Sequence, residues 1–278
     1  MHPSIRDKVV IITGGGRGLG RAMALGLVKE GAKVAITASR EGAELAQTAE
    51  DCRRIGGPDC VLTVQADVGK DADCERVMTE THRKFGHIHV LVNNAGRGMS
   101  YVHNDFTKAR PHFWDIPSDT WRMMMDTNIT GIFLMTKAAV PYLLKEGWGR
   151  VVNVSTSLIT MQRKGYLPYG ASKWACEGQT VIMAQDLEGT GVTVNALLPG
   201  GATNTKMIPG DLNDKTRTGA DGNLFEPEIM VPPIQYLVSD LSNGKAGDRY
   251  VAKLWDSKLP PEEAAAKSRF PCKRSRTY

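Results

Sequence analysis

Residues 13–20 read Thr13-Gly14-Gly15-Gly16-Arg17-Gly18-Leu19-Gly20, and this glycine-dense stretch lies between an apolar run, Val9–Thr13, and an alanine- and leucine-rich segment. Such a chain must turn tightly out of a strand and straight into a helix, because glycine tolerates the left-handed backbone and the close approaches that the turn requires. The same turn aims free N–H groups and the positive end of the helix dipole at one point, which suits a pyrophosphate. Glycines also end strands for steric reasons alone, so the position between first strand and first helix carries the inference. A methyltransferase loop is the main rival, but it usually has an acidic residue before the glycines, where Thr13 stands.

Further along, short apolar runs alternate with longer segments of helical period. The spacing predicts strands at Val9–Thr13, Val34–Ala38, Val61–Gln65, His89–Asn93, Arg150–Ser155, Val192–Leu198 and Tyr250–Leu254. Helices are expected at Leu19–Glu30, Glu41–Ile55, Asp71–Phe85, Ser118–Lys145, Tyr169–Glu188 and Glu228–Ser239. This order predicts an α/β fold: one Rossmann-type, doubly wound parallel sheet with helices on both faces. No linker rich in Pro, Gly or Ser divides the chain, so residues 1–255 are read as one dinucleotide-binding and catalytic domain and 256–278 as a C-terminal extension with a basic tail. Two stretches, Arg97–Pro117 and Gly200–Pro227, interrupt the alternation just after strand ends, where ligand-binding loops sit in this architecture.

Apolar residues make up 41% of the 278, a globular composition. No apolar run approaches the ~18 residues of a membrane span, and the first residues lack the apolar core of a signal peptide, so a cytoplasmic location is expected. The net charge of +5 resides in residues 264–278, where Lys267, Arg269, Lys273, Arg274 and Arg276 meet no acid. A neutral body argues against nucleic acid as a partner, and the basic end reads as a solvated tail. A salt-sensitive RNA or peripheral partner held by that tail is the weaker reading. Five cysteines without a C-x-x-C pair suggest neither a disulfide framework nor a zinc site, and no metal is expected.

About twenty residues past the glycines, an NAD site normally has a carboxylate for the ribose hydroxyls. Here the second strand ends Thr37-Ala38-Ser39-Arg40. Ser39, Arg40 and Arg17 would instead surround a 2′-phosphate, which arginine grips with its planar fork; NADP is therefore favoured, with NAD the alternative. Tyr169 and Lys173 fall four residues apart on one helix face. A phenol ordinarily titrates near 10, so exchanging protons near neutrality takes a cationic neighbour such as Lys173. Tyr166 has no such partner.

Together these residues resemble the short-chain dehydrogenase/reductases over roughly residues 7–200. The ordered motifs are the 13–20 loop, Asp67-Val68, Asn93-Asn94-Ala95-Gly96, Asn128, Asn153-Val154-Ser155-Thr156-Ser157, Tyr169 with Lys173, and Pro199-Gly200. The resemblance implies that Gly14, Gly16, Arg17, Gly18, Leu19 and Gly20 bind the cofactor. It also implies that Asp67 and Val68 bracket its adenine and that Asn94, Ala95 and Gly96 lie along it. Tyr169 becomes the proton donor or acceptor, Lys173 holds the nicotinamide ribose and favours ionisation of the phenol, and Asn128 orders a water in the proton relay. The family's carbonyl-binding serine stands thirteen residues before its tyrosine. That count lands on Thr156, and a loop one residue shorter would bring Ser157 there.

The resemblance thus implies hydride transfer between NADP and a small-molecule carbonyl or secondary alcohol, in a homodimer or homotetramer. The alternative is a catalytically silent NADP-binding regulator or scaffold, which would have no use for a tuned phenol. Two departures from the family stand out. The connection Arg97–Pro117 is long and carries Tyr101, His103, Phe106, Phe113 and Trp114, as a substrate wall or as packing at the sheet edge. The usual glycine-rich last strand is replaced by Gly247-Asp248-Arg249-Tyr250 and an added tail.

Overall fold

The computed structural model describes residues 3–40, 42–212, 214, 222 and 224–272, with backbone alone for 3, 107 and 108. Its regular elements run β1 (Val9–Ile12), α1 (Gly18–Lys29), β2 (Lys33–Ala38), α2 (Ala43–Gly56), β3 (Val61–Gln65), α3 (Asp71–Phe85) and β4 (Val90–Asn93). Next come the single-turn α4 (Phe106–Ala109), then α5 (Ser118–Met125), which passes through a π turn at Asp126–Thr130 into α6 (Gly131–Glu146). The rest are β5 (Gly149–Val154), α7 (Leu158–Met161), α8 (Leu167–Asp186), β6 (Val192–Leu198), α9 (Val231–Leu237), β7 (Asp248–Val251), α10 (Pro261–Ser268) and β8 (Arg269–Pro271).

The strands form one sheet in the order β3-β2-β1-β4-β5-β6-β7-β8, parallel except for the last pair. Alternate residues of each strand face opposite layers. Val10 and Ile12 of β1 join Met23, Leu27, Leu45 and Ile234 on one face, and Ile11 joins Val77, Met78, Leu134 and Leu143 on the other. Burial on both faces explains why these strands read as unbroken apolar runs. The chain leaves β1 toward β2 and β3 on one side and later builds β4 to β7 on the other. A crevice therefore opens at the C-terminal ends of β1 and β4.

The C-terminal stretch read as a solvated tail is folded as far as Cys272. Ala264 and Ala265 are buried, and β8 pairs antiparallel with β7, Arg249 opposite Phe270. Lys273, Arg274 and Arg276 lie outside the described residues. The last parallel strand comes earlier than Tyr250–Leu254, because Gly247, at φ +76°, turns the chain directly into Asp248. Among the described residues no helix is long and apolar enough to cross a membrane.

Below the sheet's central pair, the His89 N–H donates to the Val9 carbonyl (3.0 Å), while its Nδ1 accepts the Val9 N–H (2.9 Å). The remaining ring proton then sits on Nε2. The His87–His89–Glu146 cluster, whose candidate ligand atoms lie within 4.8 Å, thus lacks the free His89 nitrogen that a cation would need. Burial, aided by Lys8, pushes the His89 pKa down to about 4. Between pH ~6.5 and ~4 the unfolded chain takes up a proton that the folded chain refuses, so stability falls as pH falls through that window. His89→Asn keeps an acceptor for Val9 but cannot titrate. Urea unfolding at pH 7.5 and 5.0 is expected to show the variant losing about 2 kcal/mol less than wild type across that interval.

Candidate active site

Thr13, at the exit of β1, uses its whole hydroxyl. Oγ1 donates to the Val92 carbonyl (3.4 Å) and accepts the N–H groups of Asn94 (3.0 Å) and Ala95 (2.9 Å). The Asn94 side chain returns the link, donating to the carbonyls of Thr13 (2.8 Å) and Gly14 (3.1 Å). The glycine loop and the Asn94-Ala95-Gly96 turn are thereby sewn to each other. Gly14 is left-handed at φ +65°, and a Cβ on Gly20 would lie 2.3 Å from the Gly14 carbonyl oxygen. Both positions exclude a side chain. No side chain caps the start of α1 at Arg17, so the helix's first N–H groups have no side-chain acceptor there, a fit for a pyrophosphate.

At the outer end of the loop, Ser39 and Arg40 are exposed at the tip of β2. Arg17 Nη1 lies 3.3 Å from Glu44, and Lys206 Nζ lies 2.7 Å from the same carboxylate. Reading the strand tip alone overlooked Glu44, whose place in α2 brings it back toward the glycines. Gly16 rests against α2 as well, its carbonyl accepting from Thr48 Oγ1 at 2.8 Å. The stretch after β6, where a ligand-binding loop is expected, also reaches the crevice. Thr205 lies against Gly18 and Met207 against Gly98, so this segment bridges the two sides of the crevice. Pro199 accepts the Lys253 N–H at 3.0 Å, and Gly200 adopts φ +88° beside Val251. Asp67 accepts the Gly69 N–H (3.0 Å) beside a cavity of about 350 Å³, whereas Val68 turns its side chain into the core against Gly131.

At the inner end, the π turn carries Asn128 into a fully buried position. Its amide donates to the Arg97 carbonyl (3.0 Å) and Ser172 Oγ (3.0 Å), and its Oδ1 accepts the Arg97 N–H (2.7 Å). Every side-chain hydrogen-bonding group but one lone pair is thus engaged, which leaves the π-turn backbone as the part able to meet a water. Lys173 Nζ donates to the Val154 carbonyl at 2.7 Å and lies 5.8 Å from the Tyr169 ring centre. A Cβ on Gly96 would be 3.5 Å from Asn128 Oδ1 and 3.8 Å from Lys173 Nζ. These three positions therefore surround one small space.

The two candidate hydroxyls have different surroundings. Ser157 caps the single-turn α7, accepting the Thr160 N–H at 3.3 Å and contacting Thr160 Oγ1 at 2.9 Å. Thr156 Oγ1 has no hydrogen-bond partner among the described residues. The long connection after β4 splits in two. Phe106 and Met99 are buried with Tyr166, the Phe106 and Tyr166 rings meeting edge-on at 5.6 Å, and Tyr169 packs against this group. Phe113 and Trp114 stand in solvent, with His112 stacked on Trp114 at 4.5 Å.

A model of the short chain dehydrogenase family matches residues 8–215. A short-chain type dehydrogenase/reductase of Picea abies is 31% identical over 241 residues, covering 84% of this chain and 86% of the relative. The NADPH-dependent aldehyde reductase 2, chloroplastic, of Arabidopsis thaliana is 29% identical over 249 residues, covering 85% and 89%. The solved structure of 3-ketoacyl-(acyl-carrier-protein) reductase from Brucella melitensis, complexed with NADH, superposes with a TM-score of 0.74 at 26% identity, covering 87% of this chain and 95% of that one.

Gly20→Ala forces its methyl against the Gly14 carbonyl and must displace the loop. Titration by fluorescence is expected to show dinucleotide affinity at least ~10-fold weaker, about 1.4 kcal/mol or more.

Proposed function

The chain belongs to the short chain dehydrogenase family and is an NAD(P)-dependent oxidoreductase of carbonyl and alcohol groups, and we propose that it prefers NADP and works through Tyr169, Lys173, Asn128 and Thr156. The convergence of Gly96, Asn128 and Lys173 around one space beside Tyr169 carries this reading. The glycine loop would hold the pyrophosphate, Asn94-Ala95-Gly96 would line the middle of the dinucleotide, and Asp67 would sit at its adenine end. When bound, the nicotinamide supplies or accepts the hydride.

The protein's own part is orientation and proton handling. During reduction Tyr169 gives its hydroxyl proton to the carbonyl oxygen as negative charge builds there. Thr156 Oγ1, without a partner among the described residues, donates a hydrogen bond to the same oxygen. Lys173 spends one ammonium proton on the Val154 carbonyl and keeps two for the ribose hydroxyls. The Asn128 turn positions a water through which Tyr169 is reprotonated. Ser157 serves α7 instead.

At the cofactor's far end, Arg17 and Lys206 share the carboxylate of Glu44, and Arg40 is exposed at the tip of β2. A 2′-phosphate would give Arg17 and Arg40 a dianionic partner suited to the guanidinium fork, and the preference for NADP rests on these two arginines. The NADPH dependence in the Arabidopsis relative's name supports it, while the NADH in the Brucella structure keeps NAD as the second reading.

NADPH is expected to bind at least ~10-fold tighter than NADH in paired fluorescence titrations, and Arg17→Ala to narrow the gap; equal affinities would remove the assignment. In steady-state assays over a panel of ketones and aldehydes, Tyr169→Phe is expected to lower kcat at least ~10²-fold with cofactor affinity little changed. Thr156→Val is expected to cost ~2.7–4 kcal/mol of transition-state stabilisation. Ser157→Ala should cost only about 1 kcal/mol of stability, as a lost helix cap, and leave turnover near wild type. A collapse of the serine variant alone would move the hydroxyl role to Ser157.

A further inference from the structure

Three consecutive residues at the end of β5 are each held by a buried charged side chain. The Val154 carbonyl accepts from Lys173 Nζ (2.7 Å), Ser155 Oγ donates to Glu177 Oε1 (2.7 Å), and the Thr156 carbonyl accepts from Arg249 Nη2 (3.1 Å). The same Arg249 Nη2 lies 3.0 Å from Glu177 Oε1, and these two side chains are only 8% and 6% exposed. Lys173 and Glu177 stand one turn apart on the same face of α8, so their holds on residues 154 and 155 follow the strand's own order. Arg249 comes from β7, with β6 between it and β5; in the sheet register Asn153, Ala196 and Arg249 form one row. Its guanidinium must therefore reach across the end of β6 to the exit of β5.

Stability alone does not account for this arrangement. Removing two charges from water is costly, and well-packed apolar residues in their place are often as stable or more so. Burial indeed pushes the Glu177 carboxyl up, against the opposing pull of Ser155, Arg249 and Lys173. Arg249 also leaves its buried Nε without a partner. The guanidinium sits where Nη2 meets both Glu177 and the Thr156 carbonyl, not where its own donors are best satisfied.

We infer that Glu177 and Arg249 are positioning residues that lock the backbone of Ser155 and Thr156 and so aim the Thr156 hydroxyl at the substrate oxygen. This rests on the reading of Thr156 given above. Neither residue touches substrate. Their effect runs through the peptide unit that follows Thr156, whose carbonyl fixes how the chain leaves β5 and enters α7. A small rotation there would swing Oγ1 off line, and misplacements on that scale cost far more in rate than in stability.

The test separates geometry from stability. Glu177→Met/Arg249→Met removes both charges of the pair together, so that neither is left facing an apolar replacement, and is expected to fold. Its kcat is expected to fall at least ~10-fold with NADPH affinity within about twofold, and the amides of 155–161 to exchange with deuterium faster than in wild type. Glu177→Gln weakens the ion pair but keeps an oxygen for Ser155 and Arg249. It is expected to lower Tm yet hold kcat within about threefold. A merely structural pair predicts the reverse order, with the less stable variant the slower one. Unchanged exchange at 155–161, or a double variant with kcat within twofold of wild type, overturns the inference. Should wild type turn over no carbonyl or alcohol, the functional reading falls separately, and the exchange rates still decide whether the pair holds this segment.

Discussion

The hydroxyl of Thr13 is the knot on which the cofactor crevice depends. It lies where the sheet changes winding direction, between two strands that are neighbours in space and some eighty residues apart in sequence. With one proton given and two amides accepted, it leaves no hydrogen-bonding capacity unused. A carboxylate in its place has no proton to give the Val92 carbonyl, and an alanine would orphan the amides of Asn94 and Ala95. The exit of β1 therefore dictates how the Asn94-Ala95-Gly96 turn is presented, and that turn in turn sets the space shared with Asn128 and Lys173.

The interior of the sheet continues the same theme with neutral groups. Asn93 donates to Thr136 Oγ1 (3.0 Å) and Asn153 Oδ1 (2.9 Å), and Asn153 donates to Thr180 Oγ1 (2.9 Å). This buried chain ties β4 to α6 and β5 to α8. Fully satisfied polar networks in a low-dielectric interior favour one arrangement over its neighbours. Side chains that must meet a substrate within tenths of an ångström benefit from that uniqueness.

What was legible in the sequence was local. Val61–Gln65 and Val192–Leu198 are strands with the bounds their apolar runs suggested, and the glycine loop and the Tyr169–Lys173 pair announce themselves through short spacings, whereas Asn128 stands out only through the family resemblance. Contacts between distant segments left no such trace. Glu44 reaches Arg17 only because α2 folds back, and Glu177 meets Arg249 only because β7 lands two strands from β5. The packed C-terminal segment was hidden by its charges: Ala264 and Ala265 supply little apolar signal beside Lys267 and Arg269, although both alanines are buried. A helix stripe made of small residues is quiet in hydropathy and effective in packing.

The antiparallel β8 also determines how the sheet ends. Parallel strands normally leave a row of unpaired N–H and carbonyl groups at the margin, a template for any other extended chain. Here the margin is only three residues long. Pro271, opposite Asp248, has no N–H to offer, and Arg269 sets a charge beside it. Strand-to-strand pairing with another extended chain is thereby blunted on that side of the sheet.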